Sequence, residues 1–338
     1  MHYRCRHLYR RYPVKINIRL DTLVNILLLI VAARAAILLV QWLVLADWNV
    51  IVLNIPLYVF GSYPAAQRWR PLLWLLLLLS LTVLTLVGLR YRVLRRTLPI
   101  FWSLTVPSGV ALLAGGFGLV PVRSHEWGGL TLTLFLSVCS GVLALPIGVL
   151  LALGRRSGFV LIAHLCILFI EVMRAIPLIA VLFFGQLLIP LFLPVNFEVS
   201  RVMRAVLALS FFTAAYVAED VRSGLQAVPS TQEEAAAVLG LGPIQSLRWV
   251  ILPQALRIAL PVLTNQAIAI LQSTTLLALL GLVELLGVSR SLLGNPTFIG
   301  RHLEVYVALA VVYWIICSAI ALLSRRLEQQ LNASTTTR

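Results

Sequence analysis

Long apolar runs separated by short polar stretches set the pattern of this chain. Nearly chargeless runs recur at about 22–45, 71–90, 100–120, 129–153, 168–192, 202–220, 255–282 and 304–324. Each is long enough to cross a hydrocarbon layer of about 30 Å as a helix. The two-residue alternation of a membrane barrel does not occur. The pattern therefore predicts an all-α polytopic membrane protein of about eight spans. The third run is the thinnest, because Gly109, Gly115, Gly116 and Gly118 dilute it. Residues 158–173 mix Phe159, Leu161, Ile167 and Phe169 with His164, Glu171 and Arg174, and Pro177 follows. Proline lacks an amide donor and clashes with the preceding turn. An interfacial helix leading into a kinked or restarted fifth span is expected there. The segment 46–70 carries Trp48, Tyr58, Tyr63 and Trp69, aromatics suited to the headgroup layer, and is expected to lie partly along the outer surface. The polar tail 331–338 is expected to be disordered.

Composition narrows the class. The chain is 60% hydrophobic and only 12% charged, with a mean hydropathy of +0.97, which excludes a soluble domain. The first run is too long for a secretory signal and lacks a small-x-small cleavage site. A net charge of +15 suggests nucleic acid until the charges are located. Arg4, Arg6, Arg10 and Arg11 precede the first span, and Arg90, Arg92, Arg95 and Arg96 follow the second. Arg155 and Arg156 follow the fourth, and Arg325 and Arg326 the last. With eight spans these clusters share one side, the positive-inside pattern, and both termini are expected in the cytoplasm. No nucleic-acid partner is implied. Arg68 and Arg70 run against the rule on the outer side. Cys5, Cys139, Cys166 and Cys317 show neither metal spacing nor a local pair.

Residues 219–253 are the densest mixed-charge region between spans, with Glu219, Asp220, Arg222, Glu233, Glu234 and Arg248. Ala235, Val238 and Leu239 fall at i, i+3 and i+4 and give one helix an apolar stripe; Leu247, Val250 and Ile251 do so on a second. Gly240 and Gly242 permit a tight turn between them, and Pro243 is placed to open the second helix. Ser230 or Thr231 is placed to cap the first. Pro253 marks where the second helix ends or bends into span seven. Two readings stand. The segment is an amphipathic loop folded on its own headgroups, or a rigid element that a protein partner pushes. Glu233 and Glu234 favour the partner, because an anionic leaflet repels them.

From about residue 128 onward the chain resembles the permease subunits of binding-protein-dependent ABC importers, in the polar amino acid branch. The residues that carry this are Glu234, Ala235, Ala236 and Gly240, then Ile251-Leu252-Pro253. Gly129–Leu134, Glu171–Pro177 and Ala215–Glu219 with Arg222 add to it. Residues 63–70 and 188–194 look like the permeases of general L-amino acid transporters. Thr231 stands where relatives usually have Gly, and Gln272-Ser273 where they have a Lys-Asp pair. The resemblance implies a type I importer core of five helices, residues 121–330, behind an amino-terminal extension, residues 1–120, of three helices. It implies an inner-membrane, non-catalytic subunit with no cofactor of its own. ATP and Mg would be bound by a homodimer of cytoplasmic ATPase subunits. A sister permease, favoured as a heterodimer, and a periplasmic amino acid-binding protein would complete the importer. Glu234, Ala235, Ala236, Gly240, Gly242, Ile251 and Pro253 would then couple the ATPases to the spans. Glu234 would fix the turn, and Gly240 would let the two helices cross. The binding protein would dock near 121–128, 194–201 and 284–303.

Polar side chains inside spans face protein or a water-filled path. Asn265, Gln272, Thr274, Thr275 and Tyr216 are candidates for an amino acid path, with Thr213 and Gln186 behind them; helix-to-helix hydrogen bonding is the other reading. Glu171 and Arg174, three apart, are expected to pair as a structural or gating contact beside Pro177. Arg34 lies in the middle of the first span without an evident purpose. A proton-coupled secondary amino acid carrier is the rival class. It needs a buried carboxylate relay, and Glu171 is the lone candidate within the spans.

Overall fold

The structure, a computed structural model, describes residues 18–88, 91–116, 118–192, 194 and 199–336. The first arginine cluster, Arg90, Asn196 and Glu198 lie outside the described residues. Packing divides the chain into two units, Met1–Trp48 and Asn49–Arg338. The first unit contains α1 (Ile18–Leu45), whose apolar residues go all round the helix as in a span in lipid, with Arg34 the one charge near its middle. It closes on an aromatic end, where Trp48 Nε1 donates to the Leu43 carbonyl at 3.0 Å and the Trp42 and Trp48 rings meet edge-on at 5.9 Å.

In the second unit the helices are α2 (Asn49–Val52), α3 (Ile55–Phe60), α4 (Trp69–Gly88), α5 (Arg92–Val110), α6 (Gly129–Arg155), α7 (Val160–Ala175), α8 (Leu178–Phe183), α9 (Ile189–Phe192), α10 (Arg201–Ala227), α11 (Thr231–Val238), α12 (Pro243–Ser246), α13 (Leu252–Ser273), α14 (Leu285–Leu293) and α15 (His302–Thr336). Over the described residues, seven helices can each cross a membrane, or eight if the bent pair α7 and α8–α9 is one span. The all-α polytopic architecture is thus as the pattern predicts.

The expected break at Pro177 is present: the chain bends by 107° between Ala175 and Leu178. Two boundaries differ from expectation. The sixth helix continues to Ala227, because Glu219 and Arg222 satisfy each other and do not end it. The tail is helical to Thr336 rather than disordered. Glu328, Gln329 and Gln330 are strong helix formers, and Gln330 Nε2 donates to the Leu86 carbonyl of α4 at 3.3 Å.

Buried α10 is the centre of the bundle, packed on α6 and α13. Small residues set the closeness: a Cβ on Gly148 would meet Val217 at 2.5 Å, and one on Gly224 the Ala255 carbonyl at 2.4 Å. In the other half, Trp74 of α4, Phe135 of α6 and Trp127 pack in series, tilted and then edge-on, with ring centroids 5.6 and 5.3 Å apart. Gly109 does not merely dilute the third span, since a Cβ there would strike the Trp74 indole at 2.6 Å.

Residues 49–120 join this packing, so residue 120 is not a boundary between compact units. Thr131 Oγ1 donates to the Val59 carbonyl at 2.8 Å, and a Cβ on Gly61 would fall 2.3 Å from Gly128 Cα. The arginines that break the charge rule are structural. Buried Arg70 donates to the Val120 carbonyl at 2.7 Å, beside Tyr63, whose hydroxyl donates to the Leu113 carbonyl at 2.9 Å. Arg68 lies over the Phe60 ring at 5.9 Å and donates to the Tyr63 carbonyl at 3.3 Å. Tyr63 is therefore core, not an interfacial anchor.

Candidate functional site

The polar segment between α10 and α13 folds as two short helices in series. Helix α11 has no side-chain cap; neither Ser230 nor Thr231 supplies one, and its first amides bond to the Pro229 and Ser230 carbonyls. It ends in a Schellman turn. The Leu241 amide donates to the Ala236 carbonyl at 3.1 Å and the Gly240 amide to the Ala237 carbonyl at 2.9 Å, with Gly240 left-handed at φ +77°. Gly240 has nothing within 4 Å of a built Cβ, so it is required for backbone conformation and not for helices to cross. Gly242 is extended, and its amide donates to Gln245 Oε1 at 3.1 Å at the start of α12. Glu234 is exposed and makes no ion pair among the described residues; backbone bonds, not Glu234, fix the turn.

The second helix does not stop at Pro253. Residues 243–280 are one continuous helical run, with a π-helical turn at Leu247–Ile251 immediately before Leu252-Pro253. Widening to i→i+5 bonding absorbs the bond that the proline cannot make. Gln254 Nε2 donates both to Val250 carbonyl oxygen, at 3.0 Å, and to Gln232 Oε1, at 3.1 Å. That amide pair ties the start of α11 to the start of α13. The sequence contained both glutamines, but nothing in their spacing indicated the contact.

The two apolar stripes face opposite ways. Leu247, Val250 and Ile251 pack inward with Val221, Leu225 and Ala255. Ala236 is buried while its neighbours Ala235 and Ala237 are exposed. Val238 (87% exposed), Leu239 (80%), Ile244 (81%) and Trp249 (67%) present apolar surface outward. A clamped helix pair thus carries an apolar face that the described residues do not cover.

Nearby, three helices meet at one carboxylate. Glu219 of α10 accepts from Arg155 at the end of α6 (3.3 Å) and lies 3.6 Å from Arg174 at the end of α7. It also takes the Arg222 Nε at 2.9 Å. The Arg174 guanidinium stands 5.7 Å from the Tyr216 ring centroid. Arg174 therefore does not pair with Glu171, which is exposed and without a salt bridge among the described residues. The bend at Pro177 turns the chain away just after Arg174, leaving the guanidinium aimed at α10.

The path candidates separate. Asn265 and Gln272 are exposed on one face of α13, seven residues and about 10 Å apart. Thr275 is half-buried, its hydroxyl donating to the Gln272 carbonyl at 2.7 Å. Thr274 is fully buried, donating to the Leu271 carbonyl at 2.7 Å, and does not line a path. Gln186 is likewise buried, donating to the Arg201 carbonyl at 2.8 Å. Tyr216 stacks on Phe212 at 5.1 Å.

The buried carboxylates are elsewhere than expected. Glu304 is buried and paired with Arg301 at 3.3 Å. Glu284 is fully buried at the start of α14, accepting from the Leu286 and Gly287 amides at 2.9 and 3.0 Å and from the Tyr313 hydroxyl at 3.3 Å. Burial pushes its carboxyl from 4.5 up to about 7. The folded chain then holds a proton that the unfolded chain releases. This contribution is complete below about 4.5 and is lost as pH rises through about 7. Thermal unfolding should show stability falling between those values by an amount on the order of 3 kcal/mol. Glu284→Gln should remove that part of the slope. An unchanged slope in the variant assigns the titration to another group.

Comparison with known proteins follows the same lines. Residues 144–333 match the family model described as binding-protein-dependent transport system inner membrane component. The chain is 38% identical over 283 residues to the inner membrane amino-acid ABC transporter permease protein YhdY of Escherichia coli (strain K12), covering 82% of this chain and 76% of that protein. It is 31% identical over 342 residues to the glutamate/glutamine/aspartate/asparagine transport system permease protein BztC of Rhodobacter capsulatus, covering 85% and 79%. Among solved structures, it resembles a crystal structure of an amino acid ABC transporter with histidines. There the identity is 29% and the TM-score 0.54, over 60% of this chain and 92% of that one.

Proposed function

This chain belongs to the binding-protein-dependent transport system inner membrane components, as a multi-pass inner-membrane permease subunit of an amino-acid ABC importer, and we propose that its segment 231–252 couples the membrane spans to cytoplasmic ATPases. As a permease it is a non-catalytic subunit; binding and hydrolysis of ATP with Mg belong to the ATPase pair. The observation that carries the coupling role is the outward apolar face of Val238, Leu239, Ile244 and Trp249 on helices otherwise clamped to α13. A lever needs both a gripping surface and a stiff connection. The Gln232–Gln254 pair and the unbroken run from Pro243 to Leu280 supply the stiffness.

In this reading both termini lie in the cytoplasm, on the side of the arginine clusters. A sister permease faces the exposed side of α13, and the amino acid passes between the two along Asn265 and Gln272. Amides offer donors to a carboxylate and acceptors to an ammonium group, which suits a zwitterion. A periplasmic binding protein docks at the opposite end, on loops that include residues 284–303. The ion cluster at Glu219 joins α6, α7 and α10, so that motion of the lever is shared among the spans.

The test is the introduction of a charge on the exposed apolar stripe. Leu239→Glu and Ile244→Glu should each weaken copurification of the ATPase subunits by about tenfold or more, because a charge then enters an apolar interface without a partner. Normal copurification with normal ATP-driven uptake would refute the coupling role.

A further inference from the structure

A cavity of about 480 Å³ lies between α4, α5, α6, α13 and α15, bounded by Leu75, Leu79, Trp102, Val138, Ile316 and Leu323. Its lining comes from membrane-spanning helices, so hydrocarbon is the medium at hand. Its few polar groups are already used. Thr82 Oγ1 donates to the Leu78 carbonyl (2.8 Å), Ser137 Oγ to the Thr133 carbonyl (2.7 Å) and Trp102 Nε1 to Thr85 Oγ1 (3.1 Å). A zwitterionic amino acid would enter with both charges unpaired, which excludes the cavity as its path. Left empty, the lining would forgo dispersion contacts on one side.

Among the described charged residues of α15, Arg326 is the one nearest in register with the cavity lining. Arg326 is seven residues beyond Ala319, which lines the cavity, and so lies on nearly the same face of α15, about 10 Å further along. Slightly beyond it, Gln330 meets the Leu86 carbonyl, so α15 and α4 close together there. Arg326 is exposed and has no carboxylate partner among the described residues. An apolar slot with an exposed guanidinium about 10 Å further along the same helix matches a tail and a phosphate. We propose that this cavity holds one acyl chain of an anionic phospholipid whose phosphate is bound by Arg326. The site depends on the helices contributed by residues 69–110, and thus gives that extension a role in seating lipid against the core.

The test uses the assembled importer in nanodiscs of phosphatidylglycerol and phosphatidylcholine, with a diazirine-bearing acyl chain on either lipid as probe. Light should attach the probe to peptides of α4 and α15 that line the cavity. Ala319→Phe, which fills the slot from α15, should reduce this labelling to background. Should that variant fold poorly, Ser137→Leu fills it from α6 with the same expected result. Arg326→Gln should keep the labelling but erase a preference for phosphatidylglycerol of about fivefold, the worth of one basic residue against an anionic lipid. Labelling that survives both filling variants overturns the proposal. So does labelling displaced by free L-amino acids, which makes the cavity a solute site. Labelling seen only in the isolated chain also overturns it, because a helix then covers the slot in the importer.

Discussion

ATP-driven uptake should fall at least about tenfold when Gly240 is replaced by valine, while Gly242→Ala transports like the parent. The two glycines are two residues apart in one turn, and only one needs to be glycine. Gly240 sits at φ +77° as the left-handed residue of a Schellman turn. A β-branched side chain there costs about 1–3 kcal/mol. No atom lies within 4 Å of the new Cβ, so the cost that an added Cβ brings is conformational. The turn relieves it by unwinding, and the apolar face made by Val238 and Leu239 then loses its orientation to Ile244. Gly242 has φ −67° and tolerates alanine. Asparagine at 240, which enters the left-handed region readily, should restore most of the activity. Uptake and ATPase stimulation in proteoliposomes read the series. Equal uptake by the valine and asparagine variants would show that the turn transmits nothing.

The second large effect is on folding. Gly61→Ala should destabilise the protein by about 4 kcal/mol or more, or prevent its accumulation in the membrane. The added Cβ would lie 2.3 Å from Gly128 Cα, at a residue with φ +62°. The obstacle is backbone, and two chains cross there: the segment after α3 and the residues that open α6. Neither can retreat easily, since Thr131 is bonded to Val59 and the Gly129 amide donates to the Val283 carbonyl at 2.9 Å. Gly158→Ala is the control, with ordinary φ and open space around it. Thermal unfolding of the two purified variants decides the matter. A midpoint for Gly61→Ala within about 2 °C of the control's would mean that residues 49–67 are not part of the permease core.

Several features of the site were legible because they depend on local chemistry. Pro177 had to interrupt a helix, and the chain bends there. Gly240 and Pro243 had to make a turn and open a helix, and they do. Other assignments needed knowledge of what lies across the bundle. Arg174 has Glu171 three residues away on its own helix, yet it turns to Glu219, a residue 45 positions later, where Arg155 also arrives. Thr274 and Gln272 read alike as polar residues within a span. One is buried against the core and the other is exposed, which a two-residue step around a helix decides. Glu284 escaped notice as a buried acid because it lies between spans, where a carboxylate is unremarkable until the helix it caps is folded inward.

The sequence by itself determined the membrane class, the order of the long helices and the turn before α12. Each follows from hydrophobicity, charge or backbone freedom within a few residues. Only the tertiary structure decided which apolar stripe of the polar segment is buried and which is presented, and that residues 49–120 are built into the core. It also decided that Arg70 serves carbonyls and that α13 exposes Asn265 and Gln272. Those outcomes depend on the neighbours each face meets. Neighbours are set by how helices distant in the chain pack, and a run of residues does not encode them singly.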